Sequence, residues 1–316
     1  MNISICITVL NEEATISKLL DSLLTQSRKP DTIIIVDGGS SDRTVEIIRH
    51  YQHKDSRIKL LIEKCSRAKG RNLGIEIARS EIVATTDAGC IAQKDWLKNL
   101  VEPFKNEEVE VVAGFYTMQG FNPCSRAMSI FLGTLPRKFD VNFLPSARSM
   151  AFRKSIWEKV GGFPENLEGA AEDTVFDLKL VKNEAKIARV KNALVEWGMP
   201  KTITDFQLSI YNYAKGDAKS KVLWFPGRGL ASHNIKAFSI IIRYLVLLTL
   251  LLASIKIGYL FPIWLVLFFA YLFWAYRKIY IEFGDKLTAL WGPILQIVSD
   301  FSVMSGFISA MTSFSH

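Results

Sequence analysis

Residues 33–44 read "IIIVDGGSSDRT": an apolar run, one carboxylate, two glycines, then small hydroxyl and acidic residues. Asp37 ends a strand, Gly38 and Gly39 permit a tight turn, and Ser40, Ser41 or Asp42 can cap the helix that follows. Taken alone this is a well-made strand-to-helix turn. The same succession recurs, however, through the first hundred residues. Ile3–Thr8, Thr32–Val36, Ile58–Ile62 and Ile82–Thr86 read as strands, separated by amphipathic helical stretches at about 14–25, 43–52, 69–79 and 94–105. Strand and helix in alternation predict an α/β fold with a parallel, doubly wound sheet. Ligands of such sheets bind beyond the carboxyl ends of the strands. Three polar clusters stand there, "NEE" (11–13), "DGGSSD" (37–42) and "DAGC" (87–90), and they predict one site.

"VATTDAGC" (83–90) sets an apolar strand against Asp87, a costly place for a carboxylate unless a hydrogen-bond partner, cation or ligand meets it. The expectation is that Asp87 stands unpaired beside Asp37 and near Arg71 until a ligand arrives. In "CSRAKGRNLGIEIA" (65–78), Arg67, Lys69 and Arg71 lead into a helix expected to begin near Gly70. Cations at a helix start oppose its dipole, so they suit an anion. Further on, Ser155 and Glu158 suggest a capping box, Gly161-Gly162-Phe163 a mobile loop, and Glu172-Asp173 the opening of another helix. There is no GxGxxG dinucleotide fingerprint and no GxxxxGK phosphate loop.

The last 80 residues of the 316 differ from the rest, with three long apolar runs, Phe238–Ser254, Ile257–Tyr276 and Ala289–Phe314. The middle run, 20 residues long, would span about 30 Å as a helix, the thickness of a hydrocarbon core. A membrane anchor of two to three transmembrane helices is expected. The third run carries Gln296 and Asp300, and either lies in the interface or packs against the other two. Basic residues precede or begin the first run (Lys215, Lys219, Lys221, Arg228, Lys236, Arg243) and precede the third (Arg277, Lys278, Lys286), leaving only Lys256 between first and second. That asymmetry predicts a cytoplasmic N-terminal domain. Met1–Thr8 lacks the basic start of a signal peptide. Cys6, Cys65, Cys90 and Cys124 show no paired spacing and read as reduced, outside any disulfide framework or zinc site. The formal charge of +8 is spread out, with its nearest approach to a cluster beside the apolar runs. Membrane lipid headgroups explain it better than nucleic acid, which is not expected as a partner.

Six motifs in order, "ITVLNEE", "IIIVDGGSSDRT", "SRAKGRNLGIEIA", "TTDAGC", "GGF" and "EDTVF", resemble those of the inverting family 2 glycosyltransferases of the GT-A type. The resemblance covers about residues 1–225, taken as the GT-A domain, with 226–237 as a juxtamembrane segment and 238–316 as the anchor. It implies a nucleotide-diphospho-sugar donor, a lipid-linked or glycan acceptor such as a cell-envelope polysaccharide, and Mg²⁺ or Mn²⁺. By motif position, Asp37 would meet the nucleobase, Arg71 the nucleotide, and Asp87 the ribose or diphosphate region and the metal. Asp173, beside Glu172, would be the catalytic base. Asn11 and Glu13 would complete the donor site. Lys215, in the stretch "WGMPKTITDFQLSIYNYAKGDAKS" (197–220), would approach the diphosphate. The chain departs from the family where an Asp-x-Asp usually stands, because position 89 is glycine. Either Asp87 binds the cation with water and phosphate filling the shell, or positive residues take over part of the metal's work.

The chemistry suits the residue types: a carboxylate can take the proton of an attacking hydroxyl, and a departing diphosphate calls for positive charge. A nucleotidyltransferase would want a glycine-rich basic loop where this chain has "NEE". A non-catalytic membrane-bound sensor or scaffold would tolerate Gly89 but has no need of Glu172-Asp173. Three spans are few for a channel, so transfer of one or a few sugars is expected.

Overall fold

The computed structural model describes residues 1–167, 171–220 and 232–312. These form two compact units, one of residues 1–118 and 134–198, the other of residues 119–133 and 199–316.

The first unit is built on the strands β1 (Ile3–Val9), β2 (Thr32–Asp37), β3 (Ile58–Ile62), β4 (Ile82–Thr85), β5 (Cys90–Ala92), β6 (Val111–Gln119), β7 (Met150–Arg153) and β8 (Ile187–Gly198). Between them run α1 (Ile16–Leu24), α2 (Thr44–Lys54), α3 (Arg67–Ile77), α4 (Trp96–Val101), α6 (Lys154–Lys159) and α7 (Glu172–Lys182). Sheet order is β3-β2-β1-β4-β7-β6-β8-β5. The central strands show why both faces are covered. Ile3, Ile5 and Ile7 of β1 and Ile33 and Ile35 of β2 enter one core with Leu19, Leu20 and Leu23 of α1, while Cys6, Ile34 and Val36 enter a second with Ala68 and Ile75 of α3. Alternate residues thus serve opposite layers, and a run with no polar face is what such a strand requires.

The sheet is parallel only where the alternation was legible: β1 with β2, β1 with β4, and β2 with β3. Pairing is antiparallel for β4 with β7, β6 with β7, and β5 with β8. The regular crossover helices stop after β4, so the expectation of a mostly parallel sheet holds for the first half and gives way to a mixed sheet. Strand order reverses at β1, whose neighbours are β2 on one side and β4 on the other. The loops after β1, β2 and β4 therefore open at a topological switch point, the usual crevice for a ligand.

Local expectations need three corrections. Helix α3 begins at Arg67, not near Gly70, because Ser66 caps it by accepting from the Lys69 amide at 3.3 Å. Ser155 and Glu158 form no capping box: α6 begins at Lys154 after Arg153, without a side-chain cap. The Gly161-Gly162-Phe163 turn is pinned rather than mobile. Lys179 Nζ donates to both glycine carbonyls, at 3.2 and 2.8 Å, and Phe163 is buried against Phe176 with ring centroids 4.2 Å apart. Positive φ at Gly161 and Gly162 makes that turn possible.

The second unit contains α5 (Pro123–Leu132), α8 (Ile203–Lys219), α9 (Ser232–Ser254), α10 (Leu260–Phe283) and α11 (Lys286–Thr312). Ala237–Ser254, Leu260–Phe283 and Lys286–Thr312 are each long and apolar enough to cross a membrane, with mean hydropathies of 2.2, 1.6 and 1.5. Helix α11 packs against α10 and α8. Small residues permit the approach: a Cβ on Gly292 would stand 2.5 Å from the Ala275 carbonyl oxygen.

Helix α3 reaches the sheet because position 74 has no side chain; a Cβ there would stand 2.4 Å from Cys6 Sγ and 3.2 Å from Val36 Cγ2. Gly74→Ala is expected to destabilise the chain by about 1–3 kcal/mol, the usual cost of overpacking. Adding Cys6→Ala should recover part of the loss, read as the shift in thermal unfolding midpoint.

Candidate active site

The crevice is organised by a buried cation. Arg71, one turn inside α3, is 2% exposed. Its Nη1 donates to Glu172 Oε1 at 2.5 Å and its Nη2 to Asp87 Oδ1 at 2.7 Å, while its guanidinium carbon lies 5.5 Å from the centroid of the Phe163 ring. Arg67 adds a longer contact to Glu172 Oε1 at 3.5 Å. Asp87 is thus already paired, against the expectation of an unpaired carboxylate. The early start of α3 places Arg71 where it reaches both acids. Burial by itself would push the Asp87 carboxyl upward; the charges of Arg71, then Arg148 and Arg67, outweigh it and hold the group below its ordinary value. Burial likewise works against the charge of Arg71, and Asp87 and Glu172 more than compensate.

A second cation faces Asp87 from the other side. Arg148, on the segment before β7, has its Nε 3.9 Å from Asp87 Oδ2. Its guanidinium carbon lies 3.7 Å from the centroid of the Trp197 ring and 5.4 Å from that of Tyr116, and Nη1 donates to Ser146 Oγ at 3.2 Å. Lying over the faces of two rings, it is held in orientation. Sequence reasoning missed Arg148. Its signal was slight, a basic residue among small ones just before the buried run "MAF", and the rings that hold it come from β6 and β8.

At the end of β2, Asp37 is fully buried and its Oδ1 accepts from the amides of Gly39 and Ser40, at 3.0 and 2.9 Å. Oδ2 is buried without a partner, an open acceptor of the kind that a base N–H would satisfy. Asn11 and Glu13 are exposed and tie loops together. Asn11 Oδ1 accepts from the Ser41 amide at 2.8 Å, and Glu13 Oε2 accepts from the Arg43 amide at 3.1 Å. Lys215 belongs to the second unit, on α8, with its ammonium 6.0 Å from the Tyr211 ring.

The acidic pair opens α7 as expected, after Ala171, which adopts a left-handed φ of 79°. A non-glycine residue held there costs of order 1 kcal/mol and is tolerated where the surroundings fix it. Glu172 turns inward to the arginines. Asp173 Oδ1 accepts from the adjoining Thr174 amide at 2.9 Å. Burial first, and the charge of Glu172 second, raise the Asp173 carboxyl above its ordinary value, against the pull of Arg71. A carboxylate so placed gains basicity. One turn on, Asp177 is buried, its Oδ1 is without a partner, and burial followed by the charge of Asp173 pushes it well upward. Asp177 too was missed, since an acid in mid-helix carries no sequence signal.

For a divalent cation the donor set is poor. Asp87 already holds Arg71 and faces Arg148, Gly89 supplies no side-chain oxygen although nothing lies within 4 Å of where its Cβ would stand, and no group of three His, Cys, Asp or Glu able to hold a metal occurs among the described residues. The residues present do not fit a cation held by protein ligands alone.

Because the Asp177 carboxyl is raised in the folded chain, folding is unpenalised below its ordinary value of 3.8. Stability falls as pH rises above that value toward the folded one, since the unfolded chain ionises first. Asp177→Asn is therefore expected to be more stable than the wild type at neutral pH, and the gain should vanish below about pH 3.8. Thermal melts across pH check this.

Residues 4–160 match the family model described as glycosyl transferase family 2. The chain is 27% identical over 172 residues to "Glycosyltransferase AglE" of Haloferax volcanii, an alignment covering 52% of this chain and 57% of that one. It spans about half the length of the curated relatives it matches. Among solved structures, the fold is similar to S. aureus TarS 1–349 in complex with UDP, with a TM-score of 0.52 at 18% identity over 100% of this chain and 91% of that one. It is also similar to mannosyltransferase PcManGT from Pyrobaculum calidifontis in complex with GDP-Man and Mn²⁺, with a TM-score of 0.58 at 17% identity over 99% and 86%.

Proposed function

This chain belongs to glycosyl transferase family 2, and we propose that it moves a sugar from a nucleotide-diphospho-sugar to a lipid-linked or glycan acceptor with inversion at the anomeric carbon. The observation that carries this reading is Asp173, a carboxyl raised in basicity at the head of α7, beside the charge cluster of Arg71, Glu172 and Asp87.

In this reading Asp173 accepts the proton of the acceptor hydroxyl as that oxygen attacks from the face opposite the leaving group, and a single displacement inverts the centre. Glu172 is turned away from the acceptor's proton, toward Arg71 and Arg67. The open oxygen of Asp37 receives a base N–H. Arg148 meets the diphosphate, whose charge grows as the bond breaks, and a cation fixed on aromatic faces needs no reorganisation at that moment. Arg71 acts mainly by holding Asp87 and Glu172, and Asp87 turns its second oxygen toward the ribose or diphosphate. Asn11 and Glu13 shape the donor's edge through the loops they tie. Asp87 is the one carboxylate that would face Mg²⁺ or Mn²⁺ carried by the donor's phosphates, and such a cation would offset the charge of the leaving diphosphate.

Residues 1–225 form the transferase domain, 226–237 a juxtamembrane segment and 238–316 the anchor; residues 168–170, 221–231 and 313–316 of this division lie outside the described ones. Basic residues concentrated before α9 and α11 put the transferase domain on the cytoplasmic side.

Asp173→Asn is expected to lower turnover at least about a hundredfold, the scale of a positioned base, while donor affinity stays within about threefold. Purified chain with radiolabelled nucleotide sugars and a membrane lipid extract gives the rate, and calorimetry with the same nucleotides gives the affinity. Near-normal turnover would remove Asp173 from the mechanism.

A further inference from the structure

Within the three apolar helices lies a cavity of about 420 Å³, lined by Ser239, Ile240 and Arg243 of α9, Trp274 and Lys278 of α10, and Gln296 and Asp300 of α11. Ionisable side chains inside membrane-spanning helices are expensive and mark function more often than stability. Asp300, fully buried, is well satisfied. It accepts from Gln296 Nε2 at 3.0 Å, from Tyr244 at 3.3 Å and from the Tyr271 hydroxyl, and Arg243 Nη1 stands 3.9 Å away. Arg243 also lies over the Tyr271 ring at 4.6 Å. Lys278 Nζ donates to Gln296 Oε1 at 3.3 Å and faces the Phe131 ring at 4.0 Å. Glu282, one turn along α10, is not part of the lining. The lining therefore carries two cations and one carboxylate, an excess of positive charge around a space large enough for a ligand.

Depth points the same way. Arg243 lies about 9 Å along α9 from Ala237, and Lys278 about 7.5 Å along α10 from Phe283, at 1.5 Å per residue. Both lie near enough to the same end of their spans for these long side chains to snorkel to the boundary between headgroups and acyl chains. The anion a membrane presents there is phosphate, and basic pockets between spanning helices take such headgroups. Arg243 brings a planar fork of donors, and Lys278 a point charge whose ammonium lies over the Phe131 and Trp274 rings.

We propose that this cavity binds the phosphate headgroup of an anionic membrane lipid, with Arg243 and Lys278 on the phosphate and Asp300 as the opposing charge beside them. The site is independent of whether sugar transfer occurs, and rests only on the helices being seated in a bilayer.

The test uses the full chain in a neutral, phosphate-free detergent, titrated with phosphatidic acid, with uncharged phosphatidylcholine and with inorganic phosphate, bound molecules being counted by native mass spectrometry. One phosphatidic acid should bind, more tightly than phosphatidylcholine. Lys278→Gln and Arg243→Gln should each weaken it at least about fivefold, the scale of one basic residue toward an anionic lipid. Lys278→Arg, which keeps the charge, should stay within about twofold of wild type on the same scale, and Asp300→Asn, which removes the opposing charge, should bind equally or more tightly. Gel filtration identifies variants that fail to fold, and the Lys278→Arg and Asp300→Asn measurements then decide alone. Unchanged binding in Lys278→Gln, loss of binding in folded Asp300→Asn, or equal affinity for phosphatidylcholine would overturn the proposal. Displacement of the lipid by an equal concentration of inorganic phosphate would do so too, by showing a site for a soluble anion.

Discussion

The first unit depends on a buried guanidinium that must be neutralised. Arg71 is shut away from water between the first turn of α3, the loop after β4 and the start of α7. A buried cation without partners is prohibitive, so Asp87 and Glu172 are required at its two ends. Three segments far apart in sequence are thereby fixed by a single charge. Among the described residues no ion pair joins Asp173 to a cation, and burial and its neighbour's charge outweigh the pull of Arg71 and Arg148 on it. Charge committed at Glu172 and charge withheld at Asp173 are two results of one constraint. Adjacent acids on one helix turn are in this way given different electrostatic surroundings.

Much of this was legible in the chain. Four apolar runs and the polar clusters after them mark the parallel half of the sheet and the positions of Asp37 and Asp87, and acids at a helix start mark Glu172 and Asp173, because alternation, turn chemistry and helix starts are local properties. What was not legible came from partners distant in sequence. Asp87 looked unpaired because the helix start that delivers Arg71 was placed at Gly70 instead of Arg67. Arg148 was invisible because Tyr116 and Trp197, the rings that orient it, belong to other strands. The antiparallel half of the sheet was missed because β6, β7 and β8 follow no helical crossover rhythm.

In the second unit, hydropathy alone found the three helices, but not what their polar residues do. Asp300 read as a blemish in the third apolar run. Its neighbours Tyr244, Tyr271 and Gln296 come from all three helices, so the acid that weakened the prediction of a span is satisfied by the packing that makes the span possible. Glycine at 292 serves the same packing by letting α11 approach the α10 backbone.

The central claim, that Arg71 is what holds Asp87 and Glu172 in place, is tested most directly by a double-mutant cycle on folding stability with Arg71→Met, Asp87→Asn and the pair. Stripping the buried cation from its acids should cost about 3–5 kcal/mol in the single Arg71→Met variant, with at least about 1 kcal/mol of that recovered in the double variant, since one abandoned carboxylate is then neutral. A cost in Arg71→Met below about 0.5 kcal/mol, the level of an ordinary surface substitution, would contradict the account.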